Sequence, residues 1–462
     1  MSEGARSARA PGHLEFAWAL AIVALLPRLF VAIAWSREPV WDGHYYYFGA
    51  ERIAQGLGYS EDVWINGRPE WKPWVHYPVG YSALLGALFT VFGTSTLVAP
   101  LFNALLGTAT AVVTYELARR GLTEQRARIA GALVALHPGL IAQSALVMTE
   151  TLAACLLVVA GLCAVSARDR GARLLPFGLS IGVATLVRPA SLLLLPLGFV
   201  GHRRNLRALL TAGVLALCGT FVVVLPWTLR NCQRLDGCAL VSTNGGWNLA
   251  IGALSESGRF ATLRASDGCR VVSGQVQQDR CWAEVGLRKI AEAPGRWLAL
   301  APKKLAETFD HESFAIEYLH EADPRSWPEP RRVAGRELLT GFHRALLVLA
   351  AFSVLAFVWK RQRGAAFGVQ LTLSLGAVAL GAYAFSSDAH PFYVFCGFIP
   401  LVAVLPLPGR PELGPCLRYA VGALFLTALT HVIFFGEDRY HLAVSPLLCL
   451  LAAAALRPSA RA

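Results

Sequence analysis

The chain has 462 residues, 55% of them hydrophobic and 16% charged, with a mean hydropathy of +0.48. So little charge does not cover the surface of a soluble protein of this length, so the composition excludes a soluble fold and points to an all-α polytopic membrane protein. The net charge of +12 does not point to nucleic acid, because the arginines sit in short loops between apolar runs, where they orient a membrane protein.

The first apolar run, Phe16–Trp35, follows a basic N-terminus and lacks a small-residue cleavage site. It reads as a retained first span with Pro27-Arg28 inside it. Ser36–Tyr77 is polar and aromatic, and Pro78–Phe92 is apolar but short for a crossing. Thr96–Leu117, Ile129–Ile141, Leu152–Val165, Leu174–Val187, Ala190–Val200 and Leu206–Trp227 follow, then the long polar region Thr228–Glu337. The C-terminal part holds Leu338–Trp359, Ala366–Phe385, Phe392–Leu407, Tyr419–Phe435 and Leu442–Leu456. The expected division is a membrane module over 1–227 containing a first loop at 36–95, a loop region at 228–337, and C-terminal helices at 338–462.

Basic clusters at Arg6/Arg9, Arg119–Arg128, Arg168–Arg173, Arg203–Arg207, Lys360–Arg363, Arg410/Arg418 and Arg457/Arg461 are expected on the cytoplasmic side. Asp42, Glu150, Arg188, Thr228–Glu337, Asp388-His390 and Glu437–Arg439 then face the other side. This holds if Pro78–Phe92 is re-entrant or interfacial, which leaves twelve spans; a crossing there makes thirteen.

Four cysteines, Cys232, Cys238, Cys269 and Cys281, fall in the long outer region, where disulfides are permitted. Local spacing favours Cys232–Cys238 and Cys269–Cys281 among the three pairings open to four thiols. Thr243–Asn248 is a Gly-rich turn of the kind that offers backbone N–H groups to an anion. Pro294–Leu305 mixes basic and apolar residues and reads as an interfacial helix. His137-Pro138-Gly139 and Arg188-Pro189 break apolar runs, and freed backbone at membrane depth is tolerated where it lines a cavity.

The chain resembles the GT-C class of membrane glycosyltransferases, and within it the protein-O-mannosyltransferase and aminoarabinose-transferase superfamily. The resemblance rests on Asp42-Gly43-His44-Tyr45, Gly56–Tyr59, His76-Tyr77-Pro78-Val79-Gly80-Tyr81, Ser144–Thr151, Leu186–Pro189, Pro226–Asn231, Thr243–Asn248 and Gly436–Tyr440. It implies a GT-C fold and inverting transfer of a sugar from a polyprenyl-phosphate carrier to a glycan, lipid or protein hydroxyl. It also implies an active site on the outer face of the plasma membrane, the inner membrane of a bacterium. By the resemblance, Asp42 is the base that takes the acceptor proton. His44, Tyr45, His76, Tyr77, Glu150, Arg188, Arg230, Asn244, Asn248, Arg439 and Tyr440 bind substrate or carrier. A divalent metal is left open, with His76 and Glu150 as candidate ligands. The aminoarabinose branch has an acidic residue followed by Lys-Pro-Pro where this chain has His76-Tyr77-Pro78-Val79, so that phosphate-binding lysine is missing. The rival reading is a transporter or flippase of a lipid-linked or anionic substrate. It is disfavoured because the ionisable residues gather at the ends of the spans and no inverted repeat is visible.

Overall fold

In a membrane every backbone polar group must be satisfied within the chain, so apolar runs fold as helices. The computed structural model describes residues 12–65, 67–167, 174–201, 206–271, 273–355, 364–406 and 413–456, and these are overwhelmingly helical. The clusters at Arg6/Arg9, Arg168–Arg173, Arg203/Arg204, Lys360–Arg363, Arg410 and Arg457/Arg461 lie outside the described residues.

Five described helices are long and apolar enough to cross a membrane by length and composition: His13–Ala34, Val98–Arg119, Leu209–Arg234, Ala365–Ser386 and Pro415–Ile433. Other apolar helices are shorter, among them Gly80–Phe92, Glu150–Ser166, Leu174–Val187 and Ser445–Ala455. The 13 residues of Gly80–Phe92 reach only about 20 Å, less than a bilayer core. At the Arg188-Pro189 break, helix Leu174–Val187 stops and a tighter 3-10 stretch, Pro189–Gly201, takes over.

Every residue of helix Ser445–Ala455 is buried. It packs against Glu329–Ser353 and Glu124–Ala135 and forms the centre of the main core. The arginine inside the first span is also fully buried. Arg28 donates to the carbonyls of Ala135 at 2.7 Å and Val134 at 2.8 Å, the last residues of helix Glu124–Ala135. Those end carbonyls have no intrahelical donor and carry partial negative charge, so they accept from both terminal nitrogens of the guanidinium, while its Nε has no partner among the described residues. Gly107 makes room for it, since a Cβ at that position would lie 2.5 Å from Arg28 Nε.

The polar stretch after the first helix is ordered more fully than its sequence suggests. It forms helix Asp42–Ala54 and an antiparallel hairpin, Ser60–Ile65 with Arg68–Pro73, in which Ser60 faces Pro73. In the long polar region, helices Gly245–Leu254 and Gln275–Glu292 pack together, and disulfides join Cys232 to Cys238 and Cys269 to Cys281. The Pro294–Leu305 segment is two short helices, Pro294–Ala299 and Ala301–Phe309. Its Lys304 does not face outward: it is buried, and its ammonium donates to the Val432 carbonyl at 3.0 Å, near the end of helix Pro415–Ile433.

Candidate active site

Asp42 opens helix Asp42–Ala54, where an anion is favoured by the positive end of the helix dipole. Its neighbour has to be glycine, because a Cβ at Gly43 would come within 2.3 Å of the Tyr318 hydroxyl and 2.8 Å of the Val147 carbonyl. Trp41 is held at φ 50°, a conformation that L side chains rarely adopt, with its ring 5.6 Å from Phe314 and 5.9 Å from Tyr318. Packing thus fixes the start of this helix and the direction of Asp42.

Arg439 reaches the same point from the far end of the sequence. Its Nη2 is 2.7 Å from Asp42 Oδ2, and its Nε is 2.5 Å from Glu437 Oε2 and 3.9 Å from Glu150 Oε1. The turn that carries it is anchored on both sides. Gly436 N–H donates to the Gly258 carbonyl at 2.8 Å, and a Cβ at Gly436 would collide with the Lys304 carbonyl at 2.0 Å. Asp438 accepts hydrogen bonds from the Ser313 backbone N–H, the Ser313 hydroxyl and the Phe314 backbone N–H, and so caps helix Phe314–Ala322 from another segment.

Arg188 stands at the helix break before Pro189. It forms an ion pair with Glu150, which is fully buried at the first position of helix Glu150–Ser166, and its Nε donates to the Thr149 hydroxyl at 3.2 Å. Helix Gly80–Phe92 abuts this break, because Gly80 brings its backbone against Leu186 and Val187. That contact carries the preceding His76-Tyr77 to the site, where the Tyr77 hydroxyl donates to Asp42 Oδ1 at 2.7 Å.

These residues surround a cavity of about 600 Å3. Asp42, His76, Tyr77, Arg188, Asn244, Asn248, Arg439 and Tyr440 line it, each named from the sequence. Glu150 lies beneath, reaching it through Arg188. Besides Glu150, three expected residues do not line it. Arg230 donates to the Tyr59 carbonyl at 2.7 Å and stacks over Trp227 at 4.7 Å. His44 packs on Phe48 at 4.3 Å, and Tyr45 stacks on Tyr77 at 5.2 Å. The lining also includes Tyr46, Trp247, Phe260, Phe434 and Phe435, which give it an apolar side. Of these, Trp247 stood inside the Thr243–Asn248 motif and Tyr46 directly follows Asp42–Tyr45, whereas Phe260, Phe434 and Phe435 have no local signal. The Gly-rich turn does bind an anion, but an internal one. Gly246 N–H donates to Asp279 Oδ1 at 2.7 Å, and Trp247 N–H lies 3.4 Å from the same oxygen.

Three carboxyls, Asp42, Glu150 and Glu437, share two guanidinium groups here. Burial alone would raise the Asp42 carboxyl, but the Arg439 charge and the Tyr77 hydrogen bond outweigh it and leave Asp42 below its ordinary value. Glu437 goes the other way, because burial raises it more than Arg439 lowers it. Burial also lowers His76 against the pull of Asp42, so His76 is neutral at pH 7. Glu150 is already held by Arg188, and neither His76 nor Glu150 falls in a group of three ligating side chains among the described residues. The positive charge facing the cavity is that of Arg188 and Arg439. Chemically the site offers an ionised proton acceptor beside two anion-binding groups, under an apolar wall.

No curated protein matches the chain. Among solved structures it is similar to the oligosaccharyltransferase AglB from Archaeoglobus fulgidus in complex with an inhibitory peptide and a dolichol-phosphate. That match has 14% identity, a TM-score of 0.45, and coverage of 96% of this chain and 50% of that one. It is also similar to ArnT from Cupriavidus metallidurans bound to undecaprenyl phosphate, with 17% identity, a TM-score of 0.36, and coverage of 96% of this chain and 78% of that one. The chain thus spans about half the length of the archaeal protein. Residues 76–229 match the family model of dolichyl-phosphate-mannose-protein mannosyltransferase. In that stretch, which holds Tyr77, Glu150 and Arg188, the chain is similar to these mannosyltransferases, and the match supports the GT-C resemblance read from the sequence.

Proposed function

We propose that the protein is a glycosyltransferase that moves a sugar from a polyprenyl-phosphate carrier to an acceptor hydroxyl at the outer face of the membrane, with inversion. The observation that carries this reading is the placement of Asp42, Arg188 and Arg439 around one cavity, within a chain matched in part by a family whose description names a dolichyl-phosphate sugar. The acceptor oxygen attacks the anomeric carbon and its proton passes to the Asp42 carboxylate. The bond from that carbon to the phosphate oxygen breaks, and the polyprenyl phosphate leaves with the electron pair. Arg188 and Arg439 hold the phosphate and stabilise the charge that grows on it. Both guanidinium groups are engaged by carboxylates, so an entering phosphate competes with Asp42 for Arg439. As Arg439 turns to the phosphate, Asp42 loses the charge that depresses it and becomes a stronger base at the moment it is needed. The aromatic wall of Phe260, Phe434 and Phe435 suits the first isoprene units of the carrier.

The test is purified protein in nanodiscs with a panel of radiolabelled polyprenyl-phosphate sugars. At least one should be consumed, releasing polyprenyl phosphate, and Asp42→Asn should abolish that release. A panel left intact, or labelled carrier that crosses the bilayer with its sugar still attached, overturns the reading; the second result marks a transporter.

A further inference from the structure

Behind the turn that carries Arg439, three segments bring Glu312, His343 and His441 together. Glu312 comes from the short connection before helix Phe314–Ala322, His343 from helix Glu329–Ser353, and His441 from the turn Tyr440–Ala443. Their exposures are 1%, 0% and 0%, and one ligating atom of each lies within 4.8 Å of the others.

Hydrogen bonding decides which ring nitrogens are free. His343 Nε2 is 2.9 Å from the Phe309 carbonyl, and His441 Nδ1 is 2.6 Å from the Thr308 carbonyl. A carbonyl only accepts, so these two nitrogens carry the protons. In the neutral rings His343 Nδ1 and His441 Nε2 then present lone pairs. His441 Nε2 lies 3.0 Å from Glu312 Oε2 and His343 Nδ1 lies 4.0 Å from the same oxygen. Neither His343 Nδ1 nor Glu312 Oε1 has a hydrogen-bond partner among the described residues. With both rings neutral, three acceptors converge in a buried place, an arrangement that costs free energy until a cation or a proton fills it.

We propose that Glu312, His343 and His441 form a binding site for a divalent transition-metal ion of the Zn2+ type. Two imidazoles and one carboxylate are a zinc-type donor set, whereas Mg2+ and Ca2+ prefer oxygen ligands alone. Each histidine is oriented through its other nitrogen by a backbone carbonyl, as metal-bound histidines are. Zinc bonds of about 2.0–2.1 Å place tetrahedral ligands about 3.3 Å apart, so the three atoms need shifts of only about an ångström. Gly139 closes the site on the side of Glu312, for a Cβ there would lie 1.4 Å from Glu312 Oε1. The ion ties His441, two residues beyond Arg439, to helix Glu329–Ser353, and so positions Arg439 against Asp42. None of the three ligands lines the cavity, so this site stands apart from the sugar-transfer reading.

The test uses the full chain in detergent, freed of any affinity tag, dialysed against Zn2+ or Co2+ and then against metal-free buffer. Wild type should retain about one Zn2+ per chain and show the visible absorption of Co2+ bound to nitrogen and oxygen. Zn2+ should raise its unfolding temperature. Glu312→Gln and His343→Gln should each lose most of the bound metal and the Zn2+ response, while Asp42→Asn keeps both. If both ligand variants fail to fold, the Co2+ spectrum of the wild type still decides. Monodisperse wild type holding less than about a tenth of an equivalent of Zn2+, with no Co2+ band, overturns the site and leaves a proton between Glu312 and His441. Metal retained undiminished in both folded variants overturns it equally.

Discussion

Arg439 and Asp42 come from opposite ends of the chain and meet with Nη2 2.7 Å from Oδ2. The pair joins the proton acceptor of the proposed reaction to the group that would hold the leaving phosphate. Substitutions on either side should therefore separate binding from chemistry.

Asp42→Asn keeps the size and polarity of the side chain but cannot take the acceptor proton. Turnover should fall by about 10²–10⁴-fold, while carrier binding is kept or tightened, because the phosphate contacts belong to Arg188 and Arg439 and Asp42 no longer competes for Arg439. Single-turnover rates and donor titrations measure both quantities. Wild-type turnover in a folded Asp42→Asn protein would place the base elsewhere.

The pH dependence follows from the direction of the Asp42 shift. Its folded value lies below the ordinary aspartate value, because the Arg439 charge and the Tyr77 hydrogen bond outweigh burial. The pair therefore stabilises the fold above the ordinary value, and that contribution is lost as pH falls through the depressed one. The kcat/KM for the donor, which reports the free enzyme, should accordingly show no loss on the acid side through the neutral range. In Arg439→Gln the largest effect opposing burial is gone and only Tyr77 and His76 remain against it, so the acid limb should move to higher pH. An acid limb at the same pH in both proteins would mean that Asp42 is not the titrating base.

Arg188 has two separable roles. Its removal takes a donor from the cavity and leaves the buried Glu150 with only the distant Arg439 contact at 3.9 Å. Arg188→Ala should lower stability by about 3–5 kcal/mol through that uncompensated carboxylate. Adding Glu150→Gln should restore most of the stability but not the donor affinity. Thermal unfolding and donor Kd of the three proteins check this, and donor affinity that returns with stability would remove Arg188 from the phosphate site.

The two disulfides close short loops in the polar region. Replacing Cys269 and Cys281 together by Ala should cost about 2–3 kcal/mol, by the chain-entropy account of such loops. Non-reducing peptide mapping and thermal unfolding measure it. Four free thiols in protein from an oxidising compartment would refute the pairing.

Orientation in the membrane can be read from added cysteines in a background without the exposed Cys218. Arg120→Cys, in the basic cluster, should react with an impermeant label only after permeabilisation. Glu256→Cys, in the region around the cavity, should react from outside. The reverse pattern would turn the molecule over and place the cavity on the cytoplasmic side.

The apolar runs, their breaks at His137-Pro138 and Arg188-Pro189, and the glycine after Asp42 were legible in the sequence, because each acts over a few residues. Hydrophobic runs, proline geometry and basic loop clusters need no partner from elsewhere in the chain. What the fold alone decided is which charges meet. Asp42, Arg188 and Arg439 converge on one cavity, while Arg230, equally plausible from its motif, turns away to the Tyr59 carbonyl. The Gly-rich turn presents its amides as expected, yet Asp279, about thirty residues on, takes them. Glu312, His343 and His441 carry no shared spacing at all and become a group only when three segments pack. The physical reason is common to all of these cases. A buried charge or lone pair must find its complement, and in a helical membrane protein the complement stands on whichever helix packs beside it, not on the nearest residue in sequence.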